Sequence, residues 1–213
     1  MDISFDSKEI AWIIVALIIF EFLVIYPLTT YNPLILLTPV LILAANLIAK
    51  KIAAPFSNIK IRYKIWEFQR YGFQERAHFK KPFPIGLVFP FVIAFLSLGL
   101  IKIPLLLQFD YKNLLSKRLL KHSGTERRTE INESDLAAVA SWGFYSILAL
   151  AILGSIPAIN IIFPQLALYS IVYGLWNLIP FGNLDGSRLF FGSKVGWFIL
   201  AIFFILGLIL VLI

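Results

Sequence analysis

Six apolar runs govern what this chain can become. They fall at residues 10–26, 34–49, 84–107, 136–153, 159–179 and 195–213. Each is of the length needed to cross a bilayer, roughly 20 residues for about 30 Å of hydrocarbon. A soluble domain carries more charge than the 15% found here and far less apolar residue than 60%. The chain therefore reads as an all-α polytopic membrane protein, a single membrane domain over 1–213. It has no cysteine, which excludes disulfides, zinc ribbons and thiol catalysis. The opening "MDISFDSKEI" lacks the basic region and small-residue cleavage site of a secretory signal, so the first run is expected to stay as a helix. The net charge of +7 reports topology rather than a nucleic-acid partner.

Nine lysines and arginines fall in 50–83, six in 108–135, two in 181–195, and one each in 1–9 and 84–107. If all six runs cross, the two basic regions lie on opposite sides and the positive-inside rule gives no answer. If 84–107 enters and returns, all nineteen gather on one face. That face is then cytoplasmic, with the N-terminus inside and the C-terminus opposite. Pro82, Pro84, Pro90, Pro104, Gly86 and Gly99 suit an irregular re-entrant backbone, although a kinked crossing helix is the alternative. The expected architecture is five crossing helices, a re-entrant segment and a small membrane-associated β-sheet.

The sheet is visible in "NIKIRYKIWEF". Ile59, Ile61, Tyr63 and Ile65 point one way and Lys60, Arg62 and Lys64 the other, the period of a half-buried strand. "IKIPLLLQFDYK" is its expected partner, with Pro104 at an edge or a break. "LLSKRLLKHSG" reads as a short amphipathic helix on anionic lipid. Trp12, Trp176 and Trp197 read as interfacial anchors, and Trp142 as packing. Glu21, in "IIFEFLV", is an ionisable group inside an apolar helix, with Tyr145 and Tyr173 as candidate partners.

The most informative stretch is "NLIPFGNLDGSR". It ends an apolar helix at Pro180 and Gly182 and follows with an Asp-Gly turn. The string resembles the second signature of site-2 proteases, the intramembrane zinc metalloproteases, through Asn177, Pro180, Leu184, Asp185, Gly186, Ser187 and Arg188. The resemblance covers roughly 34–190, and it makes Asp185 the counterpart of the family's third zinc ligand. Zinc hydrolysis also needs two histidines at i and i+4, with a glutamate beside the first, and water in the fourth position. No such motif is present. Aligned to the family, "ANLIAKKIA" keeps Leu47, Lys50 and Ala53, with Ala45 and Ala49 where the histidines would be and Asn46 in place of the glutamate. "ASWGFY" replaces the family's Ala-Gly-Pro. The two histidines, His78 and His122, lie in polar regions and read as solvated.

The resemblance thus implies a degenerate member with no catalytic residues. No metal is expected on the remnant ligand position Asp185, and zinc enters only if the chain is active. The expected binding residues are Asn46, Asn177, Pro180, Asp185 and Gly186, with Asn46 within side-chain reach of the "NLDG" turn. The function expected is a catalytically inactive homologue that holds transmembrane partner segments in the bilayer without cleaving them. One alternative is an active zinc metalloprotease, with unusual ligands or as a deliberately inactivated variant. The other is a small transporter or channel subunit.

Overall fold

A computed structural model describes residues 5–27, 33–70, 78–113, 131–163 and 165–213. The described chain is mostly helical. Helix α1 spans Ser7–Ile25. A 3-10 turn at Pro33–Leu36 leads into α2, Leu37–Ala53. A second such turn follows, and Asn58, at φ 53°, swings the chain into β1, Ile59–Ile65. Strands β2 (Phe68–Arg70) and β3 (His78–Phe83) precede α3, Ile85–Leu96. Strand β4 is Leu107–Asn113. Helices α4 (Glu133–Gly154), α5 (Pro157–Ile162), α6 (Leu166–Leu178), α7 (Asp185–Gly192) and α8 (Lys194–Leu212) complete it.

Three helical stretches are long and apolar enough to cross a membrane: Leu34–Ser57, Glu133–Gly154 and Lys194–Leu212. Helix α1 matches them in length but carries Lys8, Glu9 and Glu21. Helix α6 has 13 residues, about 20 Å of rise against a hydrocarbon layer of about 30 Å.

The alternating stretch forms β1, which pairs antiparallel with β4 from Ile59↔Asn113 to Ile65↔Leu107. Ile59, Ile61, Tyr63 and Ile65 are buried in the core, whereas Lys60 and Arg62 face out. Pro104 stands outside the strand, as its missing N–H requires. A second two-stranded sheet, β2–β3, also forms. The expected amphipathic helix over 114–124 lies outside the described residues.

The segment 84–107 goes out and comes back. Its two ends are tied to one residue: Gly86 N–H donates to Trp66 O (2.9 Å) and Trp66 N–H donates to Leu106 O (2.8 Å). Between them α3 runs along α1, with Phe91 and Phe95 against Phe22 at 4.9 and 5.9 Å between rings. The turn beyond it reaches the far end of α1. There Gly99 adopts φ +80°, and a side chain would collide with Pro27. Gly86 is also irreplaceable sterically, since a Cβ would lie 2.7 Å from Leu106 O.

The return path corrects the charge count. Lys102 does not join the other basic residues. Its ammonium donates to Val24 O (3.0 Å) and to the Tyr169 hydroxyl (2.9 Å), at the opposite end of α1 from Asp6. A cation suits that place because it meets the carbonyl end of the helix dipole.

Two other expectations are corrected. Glu21 bonds to neither Tyr145 nor Tyr173: the Tyr173 ring stacks on Phe20 at 5.6 Å, and Tyr145 points outward beside Trp142. Trp142 is itself exposed rather than packed inside. Trp197, half-buried, donates its indole N–H to Leu178 O at 2.7 Å, satisfying a carbonyl at the end of α6.

Candidate functional site

The site forms where the last turn of α2 meets the turn between α6 and α7. Pro180 is exposed, in the turn that follows the end of α6. Asn177, buried in the last turn of α6, donates its amide to Tyr173 O (2.9 Å) and to Pro104 O (3.4 Å). It thereby ties α6 to the returning arm of 84–107. Leu184, in extended conformation, caps α7, and Asp185 is the first helical residue. Gly186 follows because nothing larger fits: a Cβ would collide with the Leu178 carbonyl.

Asp185 is buried, and so is the group that meets it. Lys50 Nζ lies 2.6 Å from Asp185 Oδ2, with both side chains 3% exposed. Lys50 sits in the last turn of α2 and Asp185 in the first turn of α7. Each charge therefore stands at the helix end whose dipole favours its sign. The ammonium also lies 5.3 Å from the Tyr63 ring centre and 5.7 Å from that of Phe109, within cation–π range.

Lys51 turns the other way. Its ammonium lies 2.9 Å from both carboxylate oxygens of Glu9, a buried residue of α1 that also accepts from Tyr63 N–H (3.0 Å) and Asp6 N–H (3.2 Å). Consecutive lysines thus anchor α2 to two different helices. Tyr63 lies between them and donates its hydroxyl to Leu47 O at 2.7 Å. Burial, with the Asp185 and Glu9 charges adding to it, holds the Tyr63 pKa well above the ordinary phenol value, so Tyr63 stays a neutral donor. Arg188, one turn after Asp185, stacks over Phe109 at 4.2 Å and donates to Phe109 O.

The positions expected from the sequence divide. Asn177, Asp185 and Gly186 are buried around the turn. Asn46 is buried too, and it makes no hydrogen bond to Asp185. It lies on the α2 ridge Ile42–Asn46–Lys50, one turn before the lysine that does bridge. Ala45 and Ala49 lie off that ridge and are half-buried. The ridge packs on Gly143 of α4, where a Cβ would come 2.8 Å from Asn46 Nδ2 and 3.0 Å from the Lys50 methylenes. Sequence reasoning missed the roles of Lys50, Lys51, Glu9 and Gly143. The paired lysines at an apolar helix end, with an acid in the first turn of α1, were the available signal.

Four polar atoms here are shut from solvent and make no hydrogen bond within the protein: Asn46 Oδ1, Asp185 Oδ1, Ser187 Oγ and Arg188 Nε. Among the described residues, no group of three His, Cys, Asp or Glu side chains could hold a metal ion. His78 opens β3, and His122 lies outside the described residues. No family model, characterised protein or solved structure matches the chain.

Proposed function

We propose that the chain is a catalytically inactive, site-2-protease-like membrane protein in which a lysine ammonium takes the place of the metal. The observation that carries this reading is the buried contact of 2.6 Å between Lys50 and Asp185. A protonated amine has three donors and no lone pair. It pairs with Asp185 Oδ2 and repels a divalent cation from the same point. The buried i, i+4 pair on this face becomes Asn46 and Lys50, one residue on from Ala45 and Ala49. That register puts Leu47 where hydrolysis needs a glutamate, and leucine neither binds metal nor moves a proton. One neutralised carboxylate is not a donor set for catalytic zinc, which takes three protein ligands.

With no machinery for cutting, the role that remains is to hold transmembrane segments. The proposed topology has five crossings: α1, the stretch around α2, α4, α6 and α8. The basic residues other than Lys102 face the cytoplasm, and 84–107 is re-entrant. Both ends of that segment meeting at Trp66 support this arrangement. Probes near Ser57 and Ser123 should then both report the cytoplasmic side; opposite sides would restore six crossings. A transport pathway through Asp185 is disfavoured because the carboxylate is enclosed and already paired. The functional test is zinc content. Protein purified and dialysed against zinc-containing buffer should hold well under one zinc per chain, and retained stoichiometric zinc would overturn the reading.

A further inference from the structure

We propose that the outward stripe of α1 ending at Glu21 is a docking face for a transmembrane helix that carries a basic side chain at the same depth. Ile10, Ile14 and Ile18 recur at helical spacing and are exposed, Ile18 to 59%. Glu21, three residues on, continues this stripe. The opposite side of α1, with Ala16, Ile19, Phe20 and Leu23, is core, and Phe22 turns toward α3.

Glu21 differs from the other charges embedded in the fold. Glu9 is held by Lys51, Asp185 by Lys50, and Lys102 by Val24 O and Tyr169. The half-exposed Glu21 carboxylate has no hydrogen bond or ion pair with any described residue. It lies one turn before the helix end at Ile25, about 6 Å along the axis. Apolar surface continues past that level: Leu98 and Leu100 flank Gly99, which touches Pro27, and Leu100 is 88% exposed. Exposed apolar side chains therefore stand at levels on both sides of the carboxylate, Ile18 before it and Leu98 and Leu100 beyond it. An unpaired ionisable group there is expensive and marks a site where a partner is needed.

The chemistry selects the partner. A carboxyl group there is best satisfied by a charge-assisted hydrogen bond from a cation, so the complement is Lys or Arg on a helix whose apolar side covers the isoleucines. A second copy of the chain is the poorer fit, because a two-fold contact through this stripe brings Glu21 against Glu21. The inference rests on reading the chain as a holder of transmembrane segments, and it names a face away from Lys50 and Asp185.

The test uses full-length protein in phosphatidylcholine vesicles. Energy transfer reports its association with a leucine-rich transmembrane peptide bearing one lysine a turn from its outer end, and with an all-leucine control. The lysine peptide should bind about tenfold more tightly than the control. Glu21→Leu should abolish that preference and Glu21→Gln should weaken it. Both variants remove an unpaired charge, so their folding, followed by circular dichroism, should match the parent. Equal binding of the two peptides, a preference that survives Glu21→Leu, or Glu21-dependent self-association would each overturn the inference. Stoichiometric zinc in the protein would instead overturn the inactive-core reading and leave the peptide result standing.

Discussion

Removing one member of the Lys50–Asp185 pair should do more harm than removing both. The side chains are 3% exposed and 2.6 Å apart, so either charge alone would be stranded away from water. Breaking a buried pair costs about 3–5 kcal/mol, whereas replacing both partners with apolar groups of similar volume is often neutral or stabilising. Local structure tempers each single change. In Asp185→Leu, the ammonium keeps the rings of Tyr63 and Phe109. In Lys50→Met, the carboxylate keeps the N-terminus of α7. Such contacts are each worth about 0.5–2 kcal/mol, so the singles should lose about 2–4 kcal/mol, near the lower end of the buried-pair range. The double variant should lie within about 1 kcal/mol of the parent, giving a coupling energy of at least about 3 kcal/mol. Equilibrium unfolding of the four proteins in mixed micelles measures this. Additive losses would refute the argument, since they would mean that the two charges do not depend on each other.

The same cycle with Asn46→Leu in place of Lys50→Met should be close to additive, read by the same unfolding assay, because Asn46 makes no bond to Asp185. Glu9→Ala should cost about 1–3 kcal/mol by leaving the buried Tyr63 N–H without its acceptor and should expose the N-terminal end of α1 to limited proteolysis. Gly186→Ala should destabilise the turn by more than about 2 kcal/mol, because its Cβ would meet the Leu178 carbonyl in a backbone contact that cannot give way. Asn46→His with Lys50→His, leaving Asp185 in place, should create a three-ligand set that binds zinc near one per chain by metal analysis; failure to bind would show that these two positions do not converge on Asp185.

Much of this architecture was legible in local pattern. The period-2 alternation of 59–65 matches the strand and its faces, and the prolines and glycines of 84–107 suit a segment whose two ends come back to Trp66. The "NLDG" string marked the turn where the helices meet. What was not legible depended on partners distant in sequence. The face of α2 that turns inward is set by Gly143, whose missing side chain admits Asn46 and the Lys50 methylenes; spacing alone could not choose between 45/49 and 46/50. Counting basic residues assumed that each seeks water, but Lys102 finds a helix end and a tyrosine hydroxyl instead. Nothing local in the sequence shows that Lys51 and Tyr63 close over Glu9. The β2–β3 pair lacks a clean alternation to announce it.

The Lys50 ammonium stands 2.6 Å from Asp185 Oδ2, and in the proposed function it takes the place of a metal. The most direct measurement is the dipolar coupling between Lys50 Nζ and the Asp185 carboxyl carbon, by solid-state NMR on protein labelled at lysine and aspartate and reconstituted in lipid, with and without added zinc. A charge-assisted hydrogen bond of this kind predicts strong coupling from this one pair, lost in Asp185→Leu and unchanged by zinc. Absent coupling, or coupling that disappears as zinc is taken up, would contradict the account.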